Sequence, residues 1–101
     1  MPEQPPTTPL DLSVIDGVAM ISGEIDLSSA HLVATWLKSP PVDPLHLDLR
    51  GVTFMDTLGL RTLVNARRIN PTMRIVDSST TVAKLLQITG LNEYFGASDL
   101  A

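Results

Sequence analysis

Between Leu45 and Ile88 the apolar residues of this chain switch period repeatedly, from two to about 3.6 and back, and few folds accommodate that pattern. Leu45, Leu47 and Leu49 are spaced two apart around His46 and Asp48, as on a strand, and the alternation stops at Arg50-Gly51. From Thr57 onward Leu60, Leu63, Val64 and Ile69 fall near helical spacing, and Asn70-Pro71 closes the segment because proline restricts the residue before it. Met73, Ile75 and Val76 predict another short strand. Val82, Leu85, Leu86 and Ile88 form a second helical set behind the capping candidates Asp77, Ser78, Ser79 and Thr80, with Gly90 as its stop. Strand, helix, strand, helix in that order implies an α/β fold. Right-handed βαβ crossovers would give parallel strand pairs, with helices covering at least one face of the sheet.

The segments on either side complete one domain. Leu10, Leu12 and Val14 alternate with polar neighbours, Ile15-Asp16-Gly17 supplies a turn, and Val18 to Ser22 starts a second strand, together an opening hairpin. Gly23-Glu24-Ile25-Asp26-Leu27 interrupts the pattern. Ala30, Val33, Ala34 and Leu37 then recur at helical spacing behind the plausible caps Ser28 and Ser29, and Pro40, Pro41 and Pro44 enclose the loop that ends this helix. Leu91, Tyr94 and Phe95 can pack back as a last helical turn, leaving Gly96 to Ala101 as a tail. Residues 1–9 carry four prolines and neither a basic nor an apolar stretch, so they read as a flexible tail rather than a signal peptide, with a single domain over 10–101.

Composition removes several function classes. The chain has 101 residues, room for one domain, and with 44% hydrophobic but only 4% aromatic residues its core is built from Leu, Val, Ile, Ala and Met. The absence of cysteine excludes disulfides, thiolate metal sites and cysteine nucleophiles. A net charge of -4 gives no electrostatic footprint for nucleic acid, and the one local basic cluster is Arg61, Arg67 and Arg68, of which the last two suit the negative end of a helix dipole. No apolar run approaches a bilayer span, so a soluble protein is expected; the absence of cysteine permits a reducing, cytoplasmic location, and the charge makes protein partners the default. Glu24 and Asp26 lack a neighbouring nucleophile or histidine for acid–base work, and a solvated loop explains them. His31 and His46 have no metal-ligand spacing around them, Trp36 suits core packing, and no glycine-rich phosphate cradle occurs. No cofactor or metal is expected.

Asp56-Thr57 marks a strand-to-helix junction. A helix start exposes unpaired backbone N–H groups and a partial positive charge, so Asp56 is placed to cap them and an anion nearby would be tolerated. These two residues alone fit a plain N-cap as well as a functional hydroxyl. The wider constellation is more specific: Gly23-Glu24-Ile25-Asp26, Leu47-Asp48-Leu49, Val52-Thr53-Phe54-Met55-Asp56-Thr57-Leu58-Gly59-Leu60, and Leu85-Leu86-Gln87-Ile88-Thr89-Gly90-Leu91. In order and spacing it resembles the STAS domain of bacterial anti-sigma factor antagonists, over nearly the whole chain after the tail.

That resemblance implies a four- or five-stranded mixed sheet with helices packed mainly on one face, and a helix start at Thr57 exposed near the loop that holds Asp26. It implies that the hydroxyl residue after the motif aspartate, here Thr57, is phosphorylated by an anti-sigma factor that is also a serine/threonine kinase. The unphosphorylated antagonist binds that partner and releases a sigma factor; phosphate blocks the contact, and ATP belongs to the partner, so the chain is not an enzyme. The implied contact surface is Asp26, Ser28, Asp56, Thr57, Leu58 and Gly59, with Gly59 kept small for close approach of a partner backbone. Departures from the pattern are Thr57 in place of the usual serine, Leu58 in place of a small residue, and Arg61 where glycine is frequent. Two other readings fit a domain of this kind: a subunit clamping the ATPase of an ABC-type lipid transporter, or a scaffold in which Thr57 is not phosphorylated.

Overall fold

The computed structural model describes residues 10–97; the proline-rich segment 1–9 and the end of the chain from 98 lie outside them. The order of elements is β1 (Asp11–Ile15), β2 (Val18–Ile25), α1 (Ala30–Lys38), β3 (His46–Met55), α2 (Thr57–Ile69), β4 (Arg74–Ser78) and α3 (Thr80–Thr89). The four strands form one mixed sheet in the order β1-β2-β3-β4, with β1 antiparallel to β2 and the other pairs parallel. This is the α/β architecture that the change of period implied.

The hairpin closes through Asp16 and Gly17, both at positive φ (52° and 77°), with Ile15 paired to Val18. Two left-handed residues make the turn whose twist matches the flanking strands, and Asp-Gly adopts it at low cost. Along β2, Ala19, Ile21, Gly23 and Ile25 are buried while their neighbours are half-exposed. One face of the sheet therefore carries the core and the helices.

Two strand boundaries differ from the sequence reading. β2 does not break at Gly23 but runs to Ile25, and β3 passes through Arg50-Gly51 to Met55. The pairing of β2 with β3 is irregular between Met20 and Ser22 and again between Gly23 and Glu24. Gly51 lies opposite Ser22, whose Cβ would be 2.5 Å from any side chain at 51, so this glycine is a point of close strand contact and not a strand end.

On the helices, Val33, Leu37, Leu60, Leu63, Ala66, Val82 and Leu86 enter the core. Ala34, Ile69 and Ile88, which helical spacing had placed among them, are exposed. Ile88 is two residues beyond Leu86, a turn of about 200° around the helix axis, which carries it to the opposite side. Trp36 is half-buried and packs against the core.

The packed part of the chain reaches Ala97, beyond the expected start of a tail at Gly96. Gly90 closes α3 at φ 72°. Phe95 is fully buried, its carbonyl accepts from the Ile75 N–H at 2.8 Å, and Ala97 is buried too. The backbone at Phe95 thus takes a hydrogen bond from β4, an edge strand whose outer polar groups would otherwise face solvent.

Both βαβ crossovers return their helix against the strand direction, so α1 and α2 run side by side in the same sense. Their N-terminal ends both lie at the carboxyl ends of β2 and β3, where open α/β sheets commonly place ligand and partner sites.

Candidate functional site

At that end of the sheet Ile25 pairs with Met55, and the chain leaves each strand by a short turn into a helix. Residues 26–29 lead into α1, and Asp56 alone leads into α2. The Asp56 N–H donates to the Ile25 carbonyl at 3.3 Å, which ties the two turns together. Asp26 and Asp56, thirty residues apart in sequence, thus become neighbours through Ile25.

Asp56 is extended (φ -100°, ψ -175°) and its Oδ1 accepts from the Gly59 N–H at 2.9 Å, the geometry of an N-cap. Thr57 is the first residue of α2 and exposed. No acidic residue lies within the first turn of α2 itself, and the Asp56 carboxylate on the Gly59 N–H offsets part of the positive charge of the helix start.

The Asp26 turn is built differently from the expected pair of serine caps. Asp26 Oδ1 accepts from the Ser28 hydroxyl at 2.7 Å and the Ser28 N–H at 3.0 Å. These bonds, the hydroxyl one foremost, hold the Asp26 carboxyl below its usual pKa of 3.8. Ser29 occupies the N-cap position of α1 without capping it. Its buried hydroxyl donates to the Glu24 carbonyl at 2.7 Å and accepts from the Asp26 N–H at 3.0 Å. Ser29 therefore braces the turn, and Ser28 stays exposed at its tip.

Gly59 is buried, and the structure supplies a reason for its size inside the chain. A Cβ there would overlap the Ile25 carbonyl oxygen and stand 2.9 Å from Ile25 Cγ2 and 3.0 Å from Met55 Cγ. Only glycine lets the first turn of α2 sit against the end of β2, and the approach of Asp56 to Ile25 depends on that seating.

Around the hydroxyl lies an open hollow of about 360 Å³ lined by Leu27, Asp56, Thr57, Leu58 and Arg61. Sequence reasoning passed over Leu27, which is 79% exposed. An apolar residue within the polar run Asp26-Leu27-Ser28-Ser29 was the available signal. Phe54, paired with Glu24 on the open face of the sheet and 45% exposed, adds a further apolar surface at this end. Asp26, Ser28, Asp56, Thr57 and Leu58 are brought together at one end of the sheet, while Gly59 lies beneath them.

Among the described residues no group of three or more His, Cys, Asp and Glu is arranged to hold a metal ion, and no helix is long and apolar enough to cross a membrane. Arg67 lies over the Tyr94 ring, 5.4 Å from its centroid, a contact the helix-dipole argument did not foresee.

The site is thus two turns at the carboxyl ends of parallel strands, with a capped helix start offering a hydroxyl. The STAS domain family model matches residues 9–100, and the chain belongs to that family. Its structure is similar to the crystal structure of an anti-sigma factor antagonist from Mycobacterium paratuberculosis. The two share 26% sequence identity and a TM-score of 0.65, over 86% of this chain and 81% of the other. Comparison with curated proteins gives no match.

Proposed function

We propose that this chain is an anti-sigma factor antagonist switched by phosphorylation of Thr57. The observation that carries the reading is the exposed Thr57 hydroxyl at the first position of α2, directly after the Asp56 cap and beside the Asp26 turn. The similarity to an anti-sigma factor antagonist supports the class of partner.

In the unphosphorylated state the surface around the hollow, with Leu27 and Leu58 as its apolar part and Asp26, Ser28, Asp56 and Thr57 as its polar part, binds an anti-sigma factor with serine/threonine kinase activity. The sigma factor held by that partner is released. The kinase transfers the γ-phosphoryl group of its ATP to Thr57 Oγ1; the hydroxyl proton passes to a base of the kinase and ADP leaves. The antagonist is the substrate of that reaction and not its catalyst, and it acts in the cytoplasm.

The effect of the phosphate follows from charge. It adds about -1.5 to -2 at neutral pH beside the carboxylates of Asp56 and Asp26. The helix dipole tolerates an anion at its N-terminus, so α2 stays folded. The loss falls on the interface, where an apolar and hydrogen-bonding surface becomes a strongly hydrated one. Incubation with candidate anti-sigma kinases and ATP, followed by mass spectrometry, is expected to place phosphate on Thr57. Modification only elsewhere, or none with any of several kinases, contradicts the proposal.

A further inference from the structure

The outer surface of the α1–α2 layer has a charge opposite to that of the chain as a whole. α1 and α2 contain Lys38, Arg61, Arg67 and Arg68, four of the seven Lys and Arg in a chain of net charge -4, and none of its eleven Asp and Glu. Arg67 is engaged with Tyr94. Arg61 belongs to the lining of the Thr57 hollow, whereas Arg68 is exposed towards the end of α2 and Lys38 is exposed at the end of α1.

Between the two helices runs a groove of about 250 Å³ whose sides are Ala34, Leu37 and Lys38 on α1 and Thr62, Ala66 and Ile69 on α2. Its floor is made by the small Ala66 and by Leu37, both buried, while Ile69 at its end is 70% exposed. Thr62, Ala66 and Ile69 follow one another at four and three residues, the spacing by which one helix offers a seam to another. Because α1 and α2 run in the same sense, Lys38, Arg68 and Ile69 gather at the same end of the groove, away from Thr57.

We infer that this groove docks an amphipathic helix of a protein partner, with apolar side chains seated over Ala34, Ala66 and Ile69 and carboxylates facing Lys38 and Arg68. The small Ala66 on the floor, with Ala34 at the side, leaves room for large side chains from the incoming helix. The absence of any carboxylate on either supporting helix selects an acidic partner over a basic one. The surface is separate from the Thr57 hollow, and the inference does not depend on phosphorylation.

The test uses the full-length unphosphorylated chain with no kinase present, so its failure leaves the reading of Thr57 untouched. A fluorescein-labelled synthetic helix with leucines along one face and glutamates on the other is titrated by anisotropy, and its site is mapped by amide shifts. Binding is expected, with shifts centred on Ala34, Lys38, Ala66 and Ile69. Lys38→Glu combined with Arg68→Glu should weaken it about tenfold, as should Ile69→Ser, all three being exposed positions that the fold does not need. Several results overturn the inference: no binding at millimolar peptide, equal binding of a peptide with lysines in place of the glutamates, shifts confined to the Thr57 end, or self-association of the chain through this face in place of peptide binding.

Discussion

Replacing Gly59 by alanine probes the contact on which the geometry of the site depends. In most helical positions this change would stabilise the chain by about 1 kcal/mol through helix propensity. Here the added Cβ meets the Ile25 carbonyl oxygen, with Ile25 Cγ2 at 2.9 Å and Met55 Cγ at 3.0 Å. The side chains can give way, but the carbonyl is backbone at the end of the inner strand β2. Overpacking of this kind costs about 1 to 3 kcal/mol. If α2 moves out to relieve it, the Asp56 to Ile25 hydrogen bond of 3.3 Å is lost as well, a further cost of about 0.5 to 1.5 kcal/mol. With the hydrogen bond lost, the overlap outweighs the propensity gain, and the expected net loss is about 0.5 to 3.5 kcal/mol. Urea denaturation of the two proteins measures it, and the melting temperature should fall by about 4 to 8 °C per kcal/mol in a domain of this size. Amide shifts should change most at Ile25, Asp26 and Asp56. A Gly59→Ala protein more stable than the wild type by about 1 kcal/mol would refute the close-contact argument, because propensity alone would then describe the position.

Asp56→Ala removes the cap on α2 and is expected to cost about 0.5 to 2 kcal/mol in chemical denaturation, with Asp56→Asn keeping most of the stability. The Asp26 carboxyl, lowered by its bonds from Ser28, supports the turn above its ordinary pKa of 3.8 and loses that contribution as pH falls through the lower folded value. A carboxyl titration by NMR should therefore show Asp26 below 3.8 in the wild type and shifted up in Ser28→Ala. Phe95→Ala, which empties a fully buried position, is expected to cost about 3 to 5 kcal/mol by urea denaturation; a loss below 1 kcal/mol would mean that the segment after α3 is not part of the core.

The βαβ pattern was legible because each of the later helices carries apolar residues on one face and each strand alternates. Leu47, Leu49, Leu60, Leu63, Val82 and Leu86 were recognisable before any contact was known, and Asp56 as a cap followed from its place between strand and helix. What escaped was set by partners distant in sequence. Gly51 resembles a strand end until Ser22 is placed beside it, and Gly59 invites an external explanation until Ile25 is seen above it. Ser29 has the position of a cap, yet its hydroxyl is drawn to Glu24 and Asp26. Phe95 gave no sign that its carbonyl would take the Ile75 N–H of an edge strand. At the candidate site Asp26, Asp56 and Thr57 were identifiable by resemblance, whereas Leu27 looked like an ordinary loop residue because exposure cannot be read from a single apolar position.

In the proposed switch the charge on Thr57 decides partner binding. The direct measurement is the affinity of an anti-sigma kinase, by isothermal titration calorimetry, for the wild-type chain, for the same chain phosphorylated on Thr57, and for Thr57→Ala and Thr57→Glu. Tight binding by the unmodified and alanine proteins, with a loss of at least about tenfold, or 1.4 kcal/mol, on phosphorylation and a smaller loss with glutamate, is the predicted result. Equal affinity of all four proteins for the kinase would contradict it.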